Sequence, residues 1–167
     1  MAILDILAYP DPRLYQVAQP VKIVDARVTK LIVDMADTMY AAPGIGLAAI
    51  QINEPLQIIT IDISEDKSQL LTFINPEIVR KEGQATNEEG CLSVPGIYDK
   101  VERAESVTVT ALDHAGIHFT INASGLLAVC IQHEMDHLLG RVFVDYLSPL
   151  KRQRIKSKMK KRERLRA

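Results

Sequence analysis

A chain of 167 residues with 20 Lys plus Arg, 21 Asp plus Glu, 47% apolar and 5% aromatic residues has the composition of one folded globular domain. No apolar run nears the ~20 residues of a membrane span, and Met1 to Asp5 lacks a basic stretch ahead of an apolar one. Two cysteines, Cys91 and Cys130, without CxxC spacing make neither a disulfide framework nor a cysteine-rich metal ribbon, so a reducing, cytoplasmic setting is expected. Charge is uneven: residues 1–150 hold 10 basic and 20 acidic side chains, whereas 151–167 hold 10 basic and one acidic. That asymmetry suits a polyanionic partner for the tail.

In chain order, Pro10-Asp11-Pro12 marks a turn. Asp25 is placed to cap a helix whose apolar stripe is Val28, Leu31, Ile32, Met35 and Met39, ending near Tyr40 before Pro43-Gly44. Gln57 to Ile63 and Leu70 to Ile74 read as short buried strands. Residues 107–112 and 117–121 alternate around the turn Asp113 to Gly116 and predict a hairpin. Ser124 opens an interior helix running through Leu139, with Gly140 at its C-terminal end, and Ser148-Pro149 starts a terminal helix. The expected fold is α+β, with antiparallel strands packed around a central helix and a C-terminal helix. Residues 1–150 are expected to form the body of the domain and 151–167 a basic tail of the same domain.

The strongest local signal is His133-Glu134-Met135-Asp136-His137. Helical residues four apart stand one turn above each other, ~6 Å along the axis, so two imidazoles can share one metal ion. Glu134 falls beside that ion, where a carboxylate can take a proton from bound water. A catalytic site of this kind takes three protein ligands and keeps one position open. Cys130 stands seven residues from His137, ~10.5 Å along the axis, too far for both to bind one ion with His133. It fits the apolar wall instead. Cys91, in Glu88-Glu89-Gly90-Cys91-Leu92-Ser93-Val94, is the better third ligand, its segment expected to continue extended through Val94; a glutamate elsewhere remains the alternative.

Pro43-Gly44-Ile45-Gly46-Leu47-Ala48-Ala49-Ile50-Gln51 contains a G-x-G-x-x-A core, but it follows a helix and meets Pro55 too soon for a dinucleotide loop. It reads as a glycine-rich wall for a peptide-like ligand, leading to Gln51, whose amide can donate to a developing oxyanion. His114 and His118 repeat the four-residue spacing in a hairpin, where helical geometry does not apply, and are expected at the surface.

Gly44 to Gln51, Glu89-Gly90-Cys91-Leu92-Ser93 and Gln132 to Gly140 together resemble, in order, the three signature motifs of bacterial peptide deformylases. The likeness extends over nearly the whole chain, from Ala8-Tyr9-Pro10-Asp11-Pro12-Arg13-Leu14 to Asp145-Tyr146-Leu147-Ser148-Pro149-Leu150. The resemblance implies a metal held by Cys91, His133 and His137, natively Fe²⁺ and replaceable by Zn²⁺, Ni²⁺ or Co²⁺. It implies hydrolysis of the N-formyl group from the initiator methionine of new polypeptides, a linear amide, releasing formate. Metal-bound water would attack the formyl carbon with Glu134 as general base and acid, and the metal, Gln51 and the Leu92 N–H would stabilise the oxyanion. Ile45, Leu126, Val129 and Cys130 would surround the methionine side chain, and the peptide would lie along Gly46 and the Glu89-Gly90 edge as an added strand. Tyr98 stands where some members have arginine, a departure that touches contacts to later substrate residues. The basic helix would dock on the ribosome near the exit tunnel; a monomer without membrane association is expected. Two rival readings are a metallopeptidase and an RNA- or ribosome-binding module with a structural metal. A cysteine ligand and a short chain disfavour the first, and three rather than four good ligands disfavour the second.

Overall fold

The computed structural model describes residues 2–166. Helix α1 (Ala26–Ala41) forms where the periodicity predicts it, its first turn capped by Asp25, whose carboxylate accepts from Val28 N at 3.0 Å. Val28, Ile32, Met35 and Met39 are buried against Leu47, Ile58 and Ile74. After the Pro43-Gly44 turn the chain enters β1 (Gly46–Ala48), a short 3-10 turn at Ala49–Ile52, and β2 (Ile58–Ile61).

Strand β3 (Leu71–Glu82) runs far beyond the short strand expected at Leu70 to Ile74. Asn75-Pro76 looks like a stop because proline donates no hydrogen bond, yet the chain passes it in a bulge. The register shifts between Ile74 and Glu77, and Asn75 takes φ 51°. The Asn75 amide holds the bulge by bonding Val21 N and Val21 O, each at 2.8 Å.

A hairpin of β4 (Ala85–Cys91) and β5 (Val94–Arg103) was not foreseen. Residues 86–88 of β4 are all exposed, so no apolar alternation marks them as a strand. Leu92-Ser93 is the turn of this hairpin rather than the extended segment expected: Cys91 lies opposite Val94, and the register breaks after Gly90.

Strands β6 (Ser106–Leu112) and β7 (His118–Ser124) form the predicted hairpin, and His114 and His118 are exposed on it. Helix α2 (Gly125–Leu138) follows, and Gly140 at its exit has φ 74°, where a side chain would strike the Tyr15 carbonyl. The five-stranded sheet has order β1-β2-β3-β6-β7, antiparallel throughout, and β4-β5 stand apart as a two-stranded sheet. One core cluster joins Ile131 and Leu138 of α2 to Ile59, Phe73 and Val109 of the large sheet. A second joins Val94 and Val101 of β5 to Phe143 and to Ile155 and Met159 of α3 (Pro149–Arg166). Burial of each of those two α3 side chains contributes ~1.5–3 kcal/mol to holding the helix down. The architecture is the expected α+β arrangement, with α2 at the seam between the two sheets.

Candidate metal centre

The helical spacing sets the rings of His133 and His137 5.2 Å apart at 71°. Cys91 reaches them from the end of β4, its Sγ 3.4 Å from His137 Nε2. Two donors bound tetrahedrally at about 2.0 and 2.3 Å would stand ~3.5 Å apart, close to that separation. One donor atom from each of Cys91, His133 and His137 lies within 4.8 Å of the others; Cys130 and the carboxylates stay outside the group. The donor set of one sulfur and two imidazole nitrogens suits a borderline-soft divalent ion.

Glu89 fixes the orientation of His133. Its Oε1 lies 2.9 Å from His133 Nδ1, and Arg103 donates to both carboxylate oxygens at 2.8 and 2.9 Å. Burial would raise the Glu89 carboxyl, but hydrogen bonds from Arg103 and His133 outweigh it and hold it below its usual range. An ionised acceptor at Nδ1 assigns the proton there and leaves Nε2 as the free donor to a metal. Arg103 also donates to Asp136 Oδ2 at 2.5 Å, and the Tyr146 hydroxyl donates to the same oxygen at 2.7 Å. Phe143 stacks on the His133 ring at 6.0 Å.

Glu134 is 5% exposed, and its Oε1, 3.9 Å from His137 Nε2, has no hydrogen-bond partner among the described residues. Burial pushes this carboxyl up to about 7. A buried carboxyl oxygen left unpaired beside three metal-type donors fits a bound cation and its solvent. Gly46 makes room for it, since a side chain there would collide with Glu134 Oε2. Gln51 is held at both ends: Oε1 accepts from Ala48 N at 2.9 Å, and Nε2 donates to Ser93 Oγ at 3.0 Å while lying 3.5 Å from Cys91 Sγ.

Ile45, Gly46, Gln51, Glu89, Gly90, Cys91, Leu92, Leu126, Val129, Cys130, His133 and Glu134 all line one cleft of about 950 Å³. His137, fully buried, lies behind them. Glu89 borders the cleft while its carboxylate is spent on Arg103 and His133. Burial pushes the Cys130 thiol up to about 12, so it presents a neutral wall. Arg103, Ser93, Phe143 and Tyr146 were not singled out from sequence. Arg103 shares the inward register of Val101 on β5, a signal legible only once that strand is recognised.

A thiol and two imidazoles gathered beside an unpaired buried carboxyl at the floor of a cleft form the centre of a hydrolase. Comparison with known proteins gives the particular family. A family model described as polypeptide deformylase matches residues 3–153. A peptide deformylase 1 of Burkholderia multivorans is 64% identical over 165 residues, covering 98% of this chain and 91% of its own. A peptide deformylase of Nitrosococcus oceani is 59% identical over 167 residues, covering 100% of both. The crystal structure of a peptide deformylase from Legionella pneumophila superposes with TM-score 0.95 at 53% identity, covering 99% of this chain and 98% of that one. One from Ehrlichia chaffeensis, in complex with actinonin, gives TM-score 0.95 at 40% identity over 98% of this chain and 99% of that one. The chain belongs to the polypeptide deformylase family of bacterial type, enzymes that remove the N-formyl group from nascent peptides.

Proposed function

We propose that this enzyme deformylates N-formylmethionyl nascent peptides with one divalent metal held by Cys91, His133 and His137. The observation that carries the reading is the convergence of those three donors beside the unpaired Glu134 oxygen. The cation, Fe²⁺ foremost with Zn²⁺, Ni²⁺ or Co²⁺ as substitutes, would supply Lewis acidity that activates water and polarises the formyl oxygen.

The chain's own residues do the rest. Glu134, poised near neutrality, accepts the proton of the attacking water and returns it to the leaving amine. The Gln51 amide, fixed by Ala48 and Ser93, and the Leu92 N–H in the hairpin turn donate to the oxyanion; losing one such donor costs ~10²–10³ in turnover. β1 pairs with β2 and β4 with β5, each on one side, so Gly46 and Glu89-Gly90 offer backbone on which an extended peptide can add as a strand. Ile45 and Leu126, 43% and 53% exposed, gain cover from a methionine side chain that Val129 and Cys130 also contact. A formyl group carries only hydrogen where acetyl carries a methyl, so a tight space beside the metal admits the first.

The basic helix α3 supports docking on RNA-rich ribosomal surface near the exit tunnel, with affinity falling steeply in salt. No helix among the described residues is long and apolar enough to cross a membrane; a cytoplasmic monomer is the proposed form. Elemental analysis paired with formate release from a formyl-methionyl peptide tests the central claim. One metal per chain and chelator-sensitive release are expected; undiminished release after exhaustive chelation would overturn it.

A further inference from the structure

The face of α3 that packs on the body changes chemistry along its length. Ile155 and Met159, each 6% exposed, sit in the core cluster with Val94 and Val101 of β5. At about 100° per residue, positions 162 and 166 continue that stripe within an arc of about 60°. Apolar residues there would prolong the packing, but the sequence has Arg162 and Arg166. Both line the cleft that reaches Cys91 and His133, and among the described residues that line it they are the sole Lys or Arg. Neither makes an ion pair among the described residues. The anionic groups on that lining are Asp5, Glu88, Glu89 and Glu134, of which Glu89 is matched by Arg103 and Glu134 is buried.

We propose that Arg162 and Arg166 form a cationic subsite for an acidic side chain of the peptide, several residues downstream of the formylated methionine. The proposal rests on the deformylase reading and adds a preference to it. Guanidinium groups present forked donors matched to a carboxylate, and an extended peptide advances ~3.3 Å per residue, so a chain lying in the cleft brings successive side chains past this rim. The body of the protein is otherwise acidic and would repel such a peptide, so the arginines reverse the local sign. Lys156 and Lys160 are exposed, stand about 80–160° around α3 from the two arginines and are absent from the cleft lining, whereas Arg162 and Arg166 also border Lys158 and Lys161 on the outward face.

The test measures kcat/KM for amidated formyl-Met peptides of otherwise neutral sequence carrying one Asp or one Lys at each position from the third to the sixth. At one or more positions the Asp peptide is expected to exceed the Lys peptide by about three- to tenfold at low salt, through KM, with the ratio shrinking at high salt. Arg162→Glu/Arg166→Glu is expected to invert the ratio, while Lys156→Glu/Lys160→Glu, the same change in charge, leaves it in favour of Asp. A wild-type ratio near one at every position, or equal inversion by both pairs, overturns the proposal. Failure to release formate from formyl-Met-Ala amide would instead count against the deformylase reading itself.

Discussion

Glu89 and His133 are joined across the seam of the two sheets by a 2.9 Å contact between Oε1 and Nδ1, and Arg103 grips the same carboxylate from behind. A candidate ligand histidine is thereby oriented by a hydrogen bond between two buried groups.

Glu89→Gln keeps an acceptor at His133 but discards the charge that fixes its tautomer. Metal affinity is expected to fall ~10–100-fold, read by competition with a chromogenic chelator.

Arg103→Ala removes the cation from between Glu89 and Asp136, leaving buried negative charge unmatched. A loss of about 3–5 kcal/mol in urea unfolding is expected. Unchanged stability would mean that water or another cation replaces the guanidinium.

Glu134→Gln is expected to retain the metal by elemental analysis while formate release drops by ~10²–10⁴. Near-normal turnover would refute the proton-transfer role.

Gly46→Ala places a methyl against Glu134 Oε2. Displacing that carboxyl by about 1 Å should cost ~10²-fold in kcat with cooperative thermal unfolding preserved.

Stability should depend on pH through Asp62, 3% exposed and distant in the chain from the proposed metal ligands. Burial would raise its carboxyl, but hydrogen bonds from the Ser64 hydroxyl, the Tyr40 hydroxyl and backbone N–H groups outweigh it and hold it below the usual range. A depressed folded value makes the contribution complete above the unfolded value of about 3.9 and lost as pH falls through the folded one. Asp62→Asn should therefore lower Tm at neutral pH, with the gap to wild type closing as pH falls below about 4.

Much of this was readable in advance where one residue type at one spacing admits a single geometry. Asp25 before an i, i+3, i+4 stripe announced α1, and two histidines four apart announced the shared donor point on α2. The β4-β5 hairpin was hidden because exposed Thr86, Asn87 and Glu88 carry no periodic signal. The strand expected at Leu70 to Ile74 runs on as β3 because the bulge at Asn75 is held by Val21, more than fifty residues away. Arg103 was invisible for a related reason: a charge becomes a buried pivot only when Glu89 and Asp136 arrive from two other elements. The spacing argument against Cys130 agreed with the geometry, whereas choosing Cys91 over a glutamate needed the family likeness.

The three donors do not belong to one layer: the sulfur comes from the small hairpin and both nitrogens from the helix lying on the large sheet. Whatever occupies their common point acts as a rivet between two halves otherwise joined by side-chain packing and a few hydrogen bonds, among them Glu89 to His133, Arg103 to Asp136 and Gln51 to Ser93. Its loss should be felt first as breathing of the hairpin, with faster amide exchange at 85–103 than in the five-stranded sheet, well before the whole molecule melts.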